Sequence, residues 1–178
     1  LTKTMLESGL LQERDGQYVL KQPLPSLAIP TTLHASLMTR LDRLAPARVV
    51  AQIGAVAGRE FHYELLNAVA GLPRERLDEA LDQFVRSELM FRLGEIPHAV
   101  YTFKHALMRD VAYDNLLKTR RQQLHGKVAR ELEENFQPTA ESEPELVAYH
   151  FAQAGIAKSA SNYYERAGDR ATAHSNFA

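Results

Sequence analysis

The residues of this 178-residue chain with most chemical reach are its histidines and its clustered carboxylates. His62 and Glu64 have the spacing of an H-x-E pair. That pair serves zinc chemistry only when cysteines complete the metal's shell, and the chain has no cysteine. His62 and Glu64 therefore read as ordinary helix-surface residues. Glu131, Glu133 and Glu134 gather three carboxylates, but a solvated helix face produces the same pattern. Lack of cysteine also removes disulfides and thiolate nucleophiles, and it fits a reducing compartment. The phosphate loop GxxxxGK[ST], the dinucleotide GxGxxG, HExxH and GxSxG do not occur. No catalytic and no metal-ligating residue is assigned, and the chain by itself reads as non-enzymatic.

The most suggestive stretch is Tyr101-Thr102-Phe103-Lys104-His105-Ala106-Leu107-Met108-Arg109-Asp110-Val111-Ala112-Tyr113. A strand ends and a helix starts at His105. Leu107, Met108 and Val111 are expected to face inward. An imidazole at that junction can project from the domain, where its partners decide its protonation. From the residues alone, a junction histidine bonded to nearby backbone is the favoured reading, ahead of a ligand sensor.

The elements around it follow from periodicity. Leu1 to Gly9 reads as the last turns of a helix closing on glycine. Leu10 to Leu20 reads as a hairpin turning at Asp15-Gly16. Pro23, Pro25 and Pro30 then hold an extended connector, with a boundary near Pro30. Leu33, Leu37, Leu41 and Leu44 recur at helical spacing from Thr31 onward. Pro46 suits the first turn of a second helix carrying Val49, Val50, Ile53 and Val56 and ending at Gly58. A third helix is expected from Phe61 to Val69, ending at Gly71. A fourth opens at Pro73 with the stripe Leu77, Leu81, Phe84 and Val85. The period then changes: Leu89–Leu93 and Ala99–Phe103 read as two strands joined by Gly94–His98. The last three of these helices, a two-stranded wing and a further helix give the order of a winged-helix domain, placed over residues 31–117. Beyond it, helices are expected from His105 to Leu117 and from Arg120 to Phe136, then a polar break over Pro138–Glu143. A helical pair, Pro144–Ala154 and Ala157–His174, comes next. Small residues beside aromatic ones in that pair (Phe151 before Ala154-Gly155, Tyr163 and Tyr164 before Ala167-Gly168) suit close helix packing, as at the start of an α-solenoid. The expected fold is mainly α with a small β-hairpin wing, followed by helical hairpins. Both ends read as cuts through a longer chain.

Charge narrows the partners. Net charge is −1, with 45% apolar and 24% charged residues. A DNA-reading helix must bring Arg and Lys to phosphates and base edges. In Pro73–Asp82 acids outnumber bases, and the loop Gly94–His98 has no Arg or Lys. The best basic cluster, Lys118, Arg120 and Arg121, lies outside the winged core. Nucleic acid is therefore not the expected partner. No apolar run approaches the ~20 residues a membrane span needs.

Leu24-Pro25-Ser26-Leu27-Ala28-Ile29-Pro30-Thr31-Thr32-Leu33-His34-Ala35-Ser36-Leu37-Met38-Thr39-Arg40-Leu41-Asp42-Arg43-Leu44 resembles the segment that succeeds the ATPase in bacterial STAND-type signalling ATPases. In particular it looks like the large proteins that join a class III adenylate/guanylate cyclase domain to an AAA-like ATPase and a tetratricopeptide-type array. Gln52–Phe61 and Tyr101–Leu107 look similar to the same family. The resemblance implies that residues 1–30 end the ATPase lid region and its connector. It implies a winged-helix domain over 31–117 and a helical linker with the start of the repeats over 118–178. The phosphate loop, the Mg²⁺-binding acid and any cyclase metal site would lie upstream of Leu1.

In related proteins a histidine of a Met-His-Asp motif just after the wing contacts the diphosphate of bound ADP. Phe103–Ala112 resembles that region, and His105 takes the histidine's place. The sequence departs at both neighbours, Lys104 for methionine and Ala106 for aspartate. Lys104 could add positive charge near a phosphate or equally point to water. The implied function is a cytoplasmic regulatory switch within one chain, between an upstream ATPase and downstream repeats that could take a protein ligand. No cofactor is implied for this segment itself; ATP or ADP and Mg²⁺ belong to the parent. A DNA-binding winged-helix regulator and a purely structural spacer are the rival readings.

Overall fold

A computed structural model describes residues 11–14, 17–20, 31–44 and 47–175. The helix end expected over Leu1–Gly9, the Asp15-Gly16 turn, the proline connector and Pro46 lie outside the described residues. Two compact units are present, Leu1–His34 and Ala35–Ala178. In the first, β1 (Leu11–Arg14) pairs antiparallel with β2 (Gln17–Leu20), with Arg14 opposite Gln17. The hairpin expected there is formed.

The second unit holds the rest of the fold. Helix α1 (Thr31–Arg43), which starts before this unit's first residue, precedes α2 (Arg48–Ala57), strand β3 (Glu60–His62), α3 (Tyr63–Ala70) and α4 (Arg74–Arg86). Strands β4 (Met90–Leu93) and β5 (Val100–Phe103) form the wing, and α5 (Ala106–Asp114) closes this part. The sheet order is β3-β5-β4, antiparallel throughout. Helix, strand, two helices and two strands, with the first strand added to the last, is the winged-helix arrangement. Then come α6 (Lys118–Asn135), α7 (Gln137–Ser142), α8 (Pro144–Gln153) and α9 (Ala157–Ser175). The fold is mainly helical with a small β wing.

Two expectations need correction. The third helix does not begin at Phe61. Glu60-Phe61-His62 is extended, and α3 starts at Tyr63. The reason is the period-two burial of these residues: Phe61 is buried while Glu60 and His62 face water. Phe61 stacks on Tyr101 at 6.1 Å and meets Phe103 edge-on at 5.8 Å between ring centroids. Backbone pairing with β5, Phe61 opposite Tyr101, satisfies the strand's polar groups. The other correction concerns Pro138–Glu143. Pro138–Ser142 is not a break but part of the short helix α7, with Pro138 in its first turn, and only Glu143 lies outside as the cap between α7 and α8. Proline costs nothing there because first-turn N–H groups have no intrahelical partner.

The core runs through both halves of the second unit. Leu41, Val50, Ile53, Leu66, Leu77, Leu81, Phe84 and Met108 are buried in the winged part, and Leu124, Val128, Leu132, Val147 and Phe151 in the helical part. Helix α6 packs on α2 and α3 on one side and on α7 and α8 on the other. Residues 117 and 118 thus join two parts that share one core. Helix α3 ends at Gly71, whose φ of 60° is left-handed and suits glycine.

Gly54 marks the tightest seam. A Cβ there would stand 2.7 Å from two ring carbons of Phe61. Tyr101 and Phe103 pin that ring, so it cannot swing aside. Gly54→Val is expected to lower unfolding free energy by about 1–3 kcal/mol through overpacking. Urea unfolding of the two proteins checks this.

Candidate functional site

The junction after the wing was the expected site, and its two residues differ in their surroundings. Strand β5 ends at Phe103. The Lys104 N–H donates to Leu89 O at 3.0 Å, which ties the exit of β5 to the start of the wing. His105 is extended (φ −127°, ψ 133°) and precedes α5, where Met108 N–H donates to His105 O at 2.9 Å. Its side chain is exposed, caps no backbone N–H, and makes no hydrogen bond or ion pair among the described residues. Lys104 is half-buried and engaged. Its Nζ lies 3.0 Å from Glu88 Oε2 and 5.4 Å from the Phe91 ring centroid. The hydrogen bond and charge of Lys104 hold the Glu88 carboxyl below its ordinary range. Glu88 itself sits at φ 55°, a left-handed backbone rarely used by a residue with a Cβ. The ammonium of Lys104 is thus already paired, while the imidazole of His105 is open.

The other carboxylates and histidines fall apart as chemistry. Glu64 faces His98 of the wing, at 3.5 Å, and not His62. Glu131 accepts the Asn135 amide at 2.8 Å, and Glu133 and Glu134 are exposed. Among the described residues no three His, Asp or Glu side chains converge as metal ligands.

Helix α4 and the wing do not look like a DNA-reading surface. Asp82 holds Arg92 at 3.5 Å and Arg86 at 3.7 Å, so two of the nearby cations are shared with an acid. Asp78 accepts the Tyr63 hydroxyl at 2.7 Å; burial and that bond push the phenol up to about 12. The wing presents exposed Phe91, Leu93 and Ile96 where phosphate contacts would require cations.

What sequence reasoning missed is inside. His125 on α6 and His150 on α8 are fully buried, and their Nδ1 atoms lie 2.8 Å apart. His125 Nε2 is 3.0 Å from the Tyr113 hydroxyl on α5. A neutral pair satisfies this geometry in one consistent direction at a time. Either Tyr113 donates to His125 and His125 to His150, or every proton is reversed. The arginines Arg109 and Arg121 stand over the Tyr113 ring, 5.1 and 4.6 Å from its centroid. Arg109 Nε also donates to Ala55 O at 3.1 Å, which fastens α5 to α2. Burial first, then the two guanidinium charges, lowers His125 to about 4. Burial first, then His125, lowers His150 to about 3. The signal was present: both histidines stand in apolar stripes, beside Leu124 and Val128 in one helix and Val147 and Phe151 in the other.

The chain is similar to a protein of Rhizobium meliloti (strain 1021) that is described as uncharacterized. Identity is 29% over 142 residues, which is 78% of this chain and 14% of that protein. The chain thus matches about one seventh of that relative's length. No protein-family profile matches, and no solved structure matches. Among the described residues no helix is long and apolar enough to cross a membrane.

The imidazole pair sets a pH dependence. Both groups stay neutral in the fold but gain protons in the unfolded chain once pH falls below about 6.5. Stability is therefore full above that value and is lost as pH falls toward the folded values of about 4 and about 3. The slope is up to about 1.4 kcal/mol per pH unit for each imidazole. Urea unfolding between pH 7 and pH 4.5 is expected to show this loss. A His125→Phe/His150→Leu protein should show a shallower slope over the same range.

Proposed function

We propose that this chain is a non-catalytic regulatory segment of a multidomain signalling ATPase. It couples the nucleotide state of an upstream ATPase domain to downstream helical repeats and to an output such as a nucleotide cyclase. The parent is cytoplasmic and supplies the ATP or ADP site and its Mg²⁺. Three features support this reading: the resemblance of the three sequence stretches, a winged-helix arrangement joined directly to helical hairpins, and a relative of which the matched region is only 14%.

The observation that carries it is His105. The imidazole is exposed immediately after the wing, without a partner among the described residues, beside a helix start that lacks a side-chain cap. Unpaired N–H groups and the positive end of a helix favour a phosphate oxygen at such a place. A neutral or charged imidazole can donate a hydrogen bond to the same oxygen. Contact with ADP in one domain arrangement and not in the other would bias a two-state switch. Lys104 is the secondary residue, since Glu88 already takes its charge. The DNA-binding alternative is disfavoured by the acids of α4 and the apolar wing.

The test is the nucleotide retained by the full-length parent on purification. A charge-assisted hydrogen bond of roughly 1.5–3 kcal/mol corresponds to about tenfold or more in affinity. His105→Ala is expected to lose most of the retained ADP with folding intact, and Lys104→Ala to lose less. Full retention by His105→Ala would remove the sensor role and leave a spacer.

A further inference from the structure

Helix α6 carries a second surface, independent of His105. A cleft of about 580 Å³ runs between α6 and the turn from α8 to α9. Thr119, Arg120, Gln123, Lys127 and Arg130 line one wall, and Ala154 and Ile156 the other. Gly126 lines the cleft as well. A Cβ there would meet Ala154 Cβ at 3.5 Å, so the small residues let the α8–α9 turn come close beneath the cations.

The charge of the cleft is one-sided. Arg120, Lys127 and Arg130 recur at helical spacing on one stripe over roughly 15 Å of axis. None makes an ion pair or a side-chain hydrogen bond among the described residues, and no acid lines the cleft. In a chain with 21 basic and 22 acidic residues, such a separation is not the average surface. The neighbouring cation Arg121 behaves otherwise. It is taken up by Asp114 and by the carbonyls of Leu116 and Asp114.

The stripe does not stay basic. One turn past Arg130 it reaches Glu134, with Glu133 beside it, both exposed. A uniformly anionic strand running along α6 would therefore meet repulsion at this end. A protein segment with carboxylates opposite Arg120, Lys127 and Arg130 and a cation opposite Glu134 would be matched along the whole stripe. We propose that this cleft docks an acidic protein segment that carries a basic residue at one end.

The test uses the 178-residue chain and labelled peptides, read by fluorescence anisotropy at low salt. The probe has a glutamate-rich half and a lysine-containing half; an all-glutamate peptide and a short DNA duplex are the comparisons. The mixed peptide is expected to bind more tightly than either. Arg120→Glu/Lys127→Glu/Arg130→Glu should weaken it about tenfold, as loss of three exposed charge pairs predicts. The same charge change on α4, Arg74→Glu/Arg76→Glu/Arg86→Glu, should weaken it less than about twofold. Glu134→Lys should strengthen the all-glutamate peptide, a gain that damage to folding does not produce. Equal losses from the α6 and α4 variants would overturn the proposal, as would tighter binding of the duplex or no binding of the mixed peptide.

Discussion

Helix α6 has to bury two faces at once, against α2 and α3 on one side and α7 and α8 on the other. Most of what distinguishes this chain stems from that demand. Leu124, Val128 and Leu132 satisfy it with apolar area, the main favourable term in packing. His125 satisfies it with a polar group, and a buried polar group must be hydrogen-bonded. Its partners come from two other helices, Tyr113 on α5 and His150 on α8. Gly126 supplies the close approach to the α8–α9 turn. What remains outside is a narrow polar stripe, and its cations face water without partners among the described residues. The interior pair and the exterior cleft thus arise from one helix wedged between two layers.

The outline of the fold was legible because its signals were long. Apolar residues at three- and four-residue spacing, broken by Gly58, Gly71 and the change of period at Leu89, were enough for the helices and the wing. Strand β3 was not legible in the same way. A three-residue strand offers one buried side chain, Phe61, and it runs straight into the apolar period of α3. Only its long-range partner Tyr101 makes it a strand. Helix α7 was hidden by Pro138, because proline opens a helix as readily as it breaks one and the polar residues after it carry no apolar period. At the site, the place of His105 between strand and helix was legible, but its exposure was not: the residues alone favoured an imidazole bonded to nearby backbone. The engagement of Lys104 by Glu88 was not, because it depends on a left-handed turn at Glu88 that brings distant residues together. The imidazole pair escaped because histidine counts as polar in a periodicity argument, although here it sits in the apolar stripe.

The arrangement after the wing separates roles that the sequence places side by side. Lys104 belongs to the wing, held by Glu88 and lying over Phe91, while His105 lies exposed at the helix start. A winged-helix outline invites a DNA reading, but a fold does not fix a function. Apart from the exposed Arg74 and Arg76, the charged and apolar side chains on α4 and the wing are mostly acidic, internally paired or apolar. A surface of that kind suits a protein or domain contact better than a phosphate backbone. The regulatory reading needs one further property, that a push on the helical hairpins is felt at the wing. Helix α6, fastened to both layers by apolar packing and by the Tyr113–His125–His150 chain, is the element able to carry it.

That coupling is the central claim, and native-state hydrogen exchange tests it most directly. If α6 unites the two layers, the slowest amides of α2, Val50 to Val56, and of α8, Val147 to Phe151, open with the same free energy and the same dependence on denaturant. If α8 exchanges through a lower-energy opening that leaves α2 protected, the layers are separate cooperative units and α6 does not couple them.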